Sequence, residues 1–154
     1  MKYEVIDNFL SKEEHLKIKY MMLDDYRNFP WFYTPNVAEE GDNDIYFVHT
    51  FQEKEFDLES PYLHKLHPIL QKMNIDDLWR VKGNLFPNQN KFIEHNTHID
   101  YDEPHQAAIY YINTNNGYTK LEDDTKVMSV ANRMLFFDGS KNHNSTNCID
   151  KKVR

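Results

Sequence analysis

The stretch "EHNTHIDYDEPH", Glu94 to His105, carries three histidines and four acids in twelve residues. A set so dense in imidazole and carboxylate either binds a metal or forms a solvated loop. His98 and Asp100 are two residues apart, and in a strand positions i and i+2 point to the same face. "HID" therefore sets an imidazole and a carboxylate side by side, with Ile99 turned the other way. Two adjacent ligands hold only one edge of a coordination sphere, so a third must come from elsewhere in the chain. His143 is a candidate, 45 residues after His98, following the apolar run "MLFFD" and the tight turn "DGSKN". Two histidines and a carboxylate on one triangular face leave positions open, which suits a non-haem Fe(II) centre that must admit O2 and a co-substrate. Arg154 lies 11 residues beyond His143. Its planar guanidinium matches a carboxylate through two parallel hydrogen bonds. The ordinary reading of an arginine there is a solvated residue.

The elements that would position these residues can be read from periodicity. "YEVIDNFL" reads as a short entry strand. Ser11 and Glu14 form a capping box, and Leu16, Tyr20 and Leu23 recur at helical spacing, which predicts an amphipathic helix over 12–26. A second helix is expected over 61–73, with Ser60 as N-cap, Pro61 in first position and Leu63, Leu66, Leu70 and Met73 on one face. From residue 78 the period changes to two. "LWRVKGNLF" sets Trp79, Val81 and Leu85 against Arg80, Lys82 and Asn84. Strand-like runs follow at 107–112, 118–121, 126–130 and 134–138, separated by the turn signals "NTNNG", "EDD", "ANR" and "DGSKN". Helices first and short strands afterwards predict a mainly β, α+β domain, a sandwich or small barrel with helices packed outside.

The totals set limits on function. With 154 residues the chain suits one domain and one core. A net charge of −7 is a poor footprint for a phosphate backbone, so no nucleic-acid partner is expected. No apolar run is long enough for a membrane span, and the N-terminus lacks a signal-peptide stretch. The lone Cys148 cannot form an internal disulfide, so a cytoplasmic setting is the default.

Taken together, "HID" at 98–100, "IYYIN" at 109–113, "NRMLFFDGSKNH" at 132–143 and Arg154 resemble an Fe(II)- and 2-oxoglutarate-dependent dioxygenase of the prolyl 4-hydroxylase-like branch. The opening "VIDNFLSKEE" resembles the entry strand and first helix of that branch. The resemblance implies a double-stranded β-helix, the cupin-like jelly roll. It implies His98, Asp100 and His143 as iron ligands, Arg154 gripping the distal carboxylate of 2-oxoglutarate, and Tyr111 bonding the same carboxylate. Alternation puts Ile109, Tyr111 and Asn113 on one face, although Tyr111 also reads as core packing. Asn84, on the polar face of its strand, is a further candidate for the co-substrate pocket. The implied cofactors are Fe(II), 2-oxoglutarate and O2, with ascorbate as a reductant. The implied reaction is hydroxylation of a C–H bond in a peptide or small-molecule substrate, prolyl by default, with succinate and CO2 as co-products. Proteins of this kind continue past the arginine. The resemblance therefore implies a domain over 1–154 that stops within its last core strand and is impaired in activity.

Plainer readings apply to the other candidates. Under strand alternation His95 faces away from His98 and reads as a surface or pocket-edge residue. His105, in a polar loop, reads as a surface residue. His15, His49, His64 and His67 have no carboxylate or cysteine at ligand spacing and read as structural, and Cys148 as an inert small residue. "PWFYTP", Pro30 to Pro35, reads as a loop tucked against the core or, less simply, as a substrate groove. Two other functions compete: a non-catalytic metal-binding jelly roll, and a zinc hydrolase built on His95, His98 and another ligand.

Overall fold

Capping chemistry sets the first helix. In a computed structural model describing residues 2–25, 27–38, 40, 44–75 and 77–154, Ser11 Oγ accepts from the Glu14 amide and the Glu14 carboxylate accepts from the Ser11 amide. Helix α1 (Lys12–Lys19) follows and then widens into a π-turn over Tyr20–Asp24. The buried stripe is not the expected one. The buried residues are His15, Ile18 and Met22, whereas the expected Leu16 and Tyr20 are 48% and 60% exposed. The expected helix ended at Tyr26, which lies outside the described residues.

The second helix starts later than expected. Ser60 Oγ accepts from the Tyr62 amide, but the chain first makes a 3-10 turn over Leu63–Leu66. Helix α2 (His67–Met73) then opens with Pro68 in its first turn, where a missing N–H costs nothing. Leu66 in the turn and Ile69 in the helix are the buried residues.

Strands fall into three antiparallel groups. They are β1 (Glu4–Ile6), β2 (Phe32–Thr34), β3 (Tyr46–Glu53), β4 (Leu58–Glu59), β5 (Arg80–Leu85), β6 (Gln106–Tyr111), β7 (Tyr118–Leu121), β8 (Lys126–Met128), β9 (Arg133–Asp138) and β10 (His143–Ser145). One sheet has the order β1-β9-β6, another β10-β7-β8, and in the third β3 lies between β2 and β4 and also pairs with β5. The described residues divide into two compact units. One comprises Met1–Phe9, Thr34–Tyr46 and Phe86–Arg154, the other Leu10–Tyr33 and Phe47–Leu85.

In the second unit β5 pairs with β3 from Phe47↔Leu85 to Glu53↔Arg80, with an irregularity between Thr50 and Gln52. The face expected to carry Trp79 is not apolar at that end. Trp79 is 56% exposed, lies 5.3 Å from the Lys54 ammonium and donates to Asp77. The strand packs instead through Gly83, where an added Cβ would come within 2.8 Å of Met22 Cε and 3.3 Å of Phe51. "PWFYTP" also departs from expectation: Phe32 and Tyr33 lie on a strand and are 59% and 60% exposed. Only its Trp31 is tucked in, edge-on to Phe29 at 5.1 Å and donating to the Met22 carbonyl.

In the first unit the core forms between the other two sheets. Tyr111, Leu135, Phe137, Leu121 and Val127 pack together, with Ala107 and Ile109 against them. The register Tyr111↔Arg133, Ile109↔Leu135, Ala107↔Phe137 puts these side chains on one face. The opposite face of β6 and β9 is covered by Phe9, whose ring lies 6.3 Å from Tyr110 and 6.2 Å from Phe136. Two of the expected turns use left-handed residues, Asp124 (φ 65°) and Asn132 (φ 64°). No helix among the described residues is long and apolar enough to cross a membrane.

Candidate metal centre

His98, Asp100 and His143 come together. Each offers a ligand atom, and those atoms lie within 4.8 Å of one another. The segment carrying "HID" is not the regular strand that its alternation predicts. It is an extended stretch tied down at single points, because its neighbours reach it only briefly. The His98 and His143 backbones exchange hydrogen bonds at 3.0 Å in both directions, and the Asp100 amide donates to the Gly139 carbonyl at 3.0 Å. Those ties still keep His98 and Asp100 on one side, so the i, i+2 argument survives without a ladder.

His143 is the most constrained ligand. It is 6% exposed, its ring meets Phe137 edge-on at 4.8 Å, and its Nδ1 donates to the Lys141 carbonyl at 2.9 Å. With the proton on Nδ1, the Nε2 lone pair is presented to an ion. Nε2 lies 3.8 Å from the nearer Asp100 oxygen, too far for a hydrogen bond. The His98 ring lies 4.6 Å from that of His143, tilted by 56°. Two imidazoles and one carboxylate this close together fit a divalent first-row metal with positions left open.

A second cluster lies further along the same sheet face. His143 pairs with Leu121 and Ser145 pairs with Thr119, so these four side chains share one face of β10 and β7. Thr119 is 1% exposed, and its Oγ1 sits 2.8 Å from Tyr111 Oη and 3.2 Å from a terminal nitrogen of Arg154. The Arg154 guanidinium also donates to Ser129 Oγ at 2.8 Å and the Thr146 carbonyl at 2.9 Å, none of them a carboxylate. The Phe86 and Tyr111 rings flank it at 5.6 and 5.8 Å. Burial pulls the guanidinium pKa below its ordinary value. Burial likewise pushes the Tyr111 phenol up, against the opposing effects of Thr119 and Arg154. The Arg154 backbone is held by reciprocal bonds to Phe86 at 2.8 and 2.9 Å. A desolvated guanidinium held by neutral oxygens is built to receive an anion. Ser145 lies two residues from His143, about 6–7 Å along the strand, and stands opposite Thr119.

The remaining candidates are placed as follows. Asn84 is exposed on β5 in the other compact unit, opposite Val48. His105 is half-buried: its Nδ1 donates to the Glu103 carbonyl at 2.8 Å and its ring meets Tyr101 edge-on at 5.4 Å. Cys148 is fully buried, which pushes its thiol pKa up. His49 is buried between the Pro30 carbonyl and Ser60 Oγ, both at 2.8 Å. His95 departs most from expectation. It is 3% exposed and its Nδ1 lies 2.8 Å from Ser145 Oγ. The cause is a bulge. Glu94 opposes Thr146 while His98 opposes His143, four steps on one side against three on the other. The extra residue cancels strict alternation, and His95 turns inward with His98.

Several residues of this face gave no signal in the sequence. Thr119, Ser129 and Ser145 look like ordinary strand polars. Gly117, which "NTNNG" marks as a turn, has a second role. An added Cβ there would lie 2.4 Å from Arg154 Cδ and 2.6 Å from the Asn147 carbonyl oxygen, so the glycine makes room for the arginine.

No family model matches the sequence, and no curated protein matches it. Solved structures do match. A prolyl-4-hydroxylase from Pseudomonas putida aligns with a TM-score of 0.64 at 14% identity, over 98% of this chain and 88% of that one. A prolyl hydroxylase from Trichoplax adhaerens, solved with a hypoxia inducible factor oxygen degradation domain peptide fragment, aligns with a TM-score of 0.65 at 12% identity, over 95% and 77%. The chain thus shares the double-stranded β-helix, the cupin-like jelly roll, of the prolyl hydroxylases.

Proposed function

We propose that this protein is a non-haem Fe(II)- and 2-oxoglutarate-dependent oxygenase that hydroxylates a C–H bond of a peptidyl or free amino-acid substrate, with succinate and CO2 as co-products. One observation carries the reading: a two-histidine, one-carboxylate cluster includes His143 of β10, and a desolvated arginine bonds Thr119 of β7, which stands opposite Ser145, two residues from His143 on the same face. His98, Asp100 and His143 would hold Fe(II). Arg154, with Tyr111 and Thr119 beside it, would hold the far carboxylate of 2-oxoglutarate. Once bound, iron and 2-oxo acid supply the oxidising chemistry, with O2 as oxidant and ascorbate as a reductant. The protein orients them: Lys141 fixes the His143 tautomer, and the enclosed guanidinium selects a ligand with a second carboxylate. The Trichoplax neighbour was solved with a peptide, which makes a proline-containing peptide the first substrate to try.

The test is a succinate assay. The protein is loaded anaerobically with Fe(II), given 2-oxoglutarate and ascorbate, and exposed to O2 with and without a panel of prolyl peptides. Succinate that requires both Fe(II) and O2 is the expected result. Fe(II) binding with no succinate under any condition would leave a non-catalytic metal-binding jelly roll. Hydrolysis that ignores O2 and survives Asp100→Ala would point to the zinc reading.

A further inference from the structure

We infer that His95 is a co-substrate-binding residue, donating a neutral N–H to the 2-oxo acid between the metal cluster and Arg154. The inference rests on the oxygenase reading above and adds to it a residue that alternation turns away from the site.

The geometry comes from both ends. His95 is held by its backbone, its amide donating to the Ser145 carbonyl at 2.9 Å and its carbonyl accepting from Asn144 Nδ2 at 2.9 Å. Its ring lies tilted on Phe86 at 4.9 Å, and Phe86 in turn faces the Arg154 guanidinium at 5.6 Å. Its Nδ1 is 2.8 Å from Ser145 Oγ, and Ser145 is the residue opposite Thr119, the threonine that touches both Arg154 and Tyr111. Ser145 is also two residues from the ligand His143, on the same face. The imidazole thus lies against Ser145 and Phe86, one of them two residues from His143 and the other facing Arg154.

The Ser145 contact is compatible with the tautomer this role needs: when the hydroxyl donates to Nδ1, the ring proton sits on Nε2, on the other side of the imidazole. A neutral donor there suits an anionic ligand without adding a second cation beside Arg154. A buried imidazole costs less to desolvate in this form than a charged side chain would. The bulge at 95–97 is the backbone device that turns the ring inward.

The test reads binding, without turnover. Under anaerobic conditions, 2-oxoglutarate is titrated into the Fe(II)-loaded protein and followed by the visible charge-transfer band of a chelated 2-oxo acid. Fe(II) affinity and thermal midpoint are measured beside it. His95→Phe keeps the aromatic packing on Phe86 but removes both nitrogens, and it should weaken 2-oxoglutarate binding by about tenfold, while Fe(II) affinity stays within about twofold. His95→Gln keeps an N–H donor near the Nε2 position and should recover most of that loss. Ser145→Ala frees the tautomer without touching the ring and should weaken binding by roughly threefold. Unchanged 2-oxoglutarate affinity in His95→Phe overturns the assignment. So does equal loss in the Phe and Gln variants accompanied by a fall in thermal midpoint and Fe(II) affinity, which marks a structural residue. Should His95→Phe fail to fold, Ser145→Ala decides alone: its unchanged affinity overturns the assignment. If the wild-type protein binds Fe(II) but gives no band with 2-oxoglutarate, the oxygenase reading itself fails, and this inference falls with it.

Discussion

The two ends of this sheet face handle charge in opposite ways. At the metal end, three donors gather around a gap, two of them half-open to solvent. Their carboxylate and lone pairs await a cation. At the Arg154 end the cation is already present, flanked by two aromatic rings and bonded only to hydroxyls and a carbonyl. The first end is assembled from brief backbone ties between distant segments. The second is built into regular strands, with Thr119 on β7 and Tyr111 on β6 as fixed walls. The difference teaches which losses each end should tolerate: ligand changes should abolish metal binding, whereas changes around Arg154 should spare the metal and weaken only an anion.

The sharpest break of that asymmetry is at the metal. Asp100→Ala or His143→Ala removes one of the three proposed ligands and should lower Fe(II) affinity by on the order of 100-fold or more, with 2-oxoglutarate binding lost in consequence. Anaerobic Fe(II) titration checks it. Wild-type affinity in either variant would remove that residue from the ligand set.

Arg154→Gln tests the other end. Charge-assisted hydrogen bonds are worth about 1.5–3 kcal/mol, so 2-oxoglutarate should bind roughly ten- to a hundredfold more weakly. Fe(II) affinity should not move. In the wild-type protein with Fe(II), saturating 2-oxoglutarate should raise the thermal midpoint; in Arg154→Gln at the same concentration the rise should be clearly smaller. A rise equal to wild type would separate Arg154 from the ligand.

How much of this was visible in the chain differs between the ends. The convergence of His98, Asp100 and His143 is legible because two simple rules apply to them. His98 and Asp100 obey period two, and His143 follows an apolar strand and a turn that reverses it. Arg154 was legible as a charge at a useful distance, but its surroundings were not. Thr119, Ser129 and Ser145 are polar residues of the kind found in many strands, and only the fold shows that they converge. Non-local pairing decides that, and no local pattern encodes it. His95 was misread because a bulge leaves no mark in composition. In the first helix the buried stripe runs through His15, Ile18 and Met22, and it escapes a purely apolar pattern because one of its members is a histidine. Strand β3 carries a local signal of its own, since "YFVHTF" is rich in aromatic and β-branched residues.

Gly117→Ala sharpens the comparison from the backbone. The new methyl would meet Arg154 Cδ at 2.4 Å and the Asn147 carbonyl at 2.6 Å, and the carbonyl cannot swing away as a side chain can. Overpacking of this kind costs roughly 1–3 kcal/mol, or about 2–12 °C in thermal midpoint for a chain of this size. Displacing Arg154 should also weaken 2-oxoglutarate binding, while Fe(II) affinity stays near wild type. A variant with the wild-type midpoint and wild-type 2-oxoglutarate affinity would show that Arg154 does not need this space.

Tyr111→Phe should give the smallest change, and it divides the anion end more finely. The ring stays in the core with Leu121, Leu135 and Phe137, so packing is preserved. Only the hydroxyl is lost, and with it the 2.8 Å bond to Thr119 Oγ1. Thr119 still has the Arg154 nitrogen at 3.2 Å, so its oxygen is not abandoned. A single neutral hydrogen bond is worth about 1 kcal/mol, which corresponds to a loss of roughly fivefold. If Tyr111 touches the ligand, that loss appears in 2-oxoglutarate affinity with the thermal midpoint nearly unchanged. If it serves only to orient Thr119, the same energy appears in unfolding stability, and the affinity falls by less than twofold. Measuring both quantities on one variant therefore assigns the phenol either to the ligand or to the wall behind it.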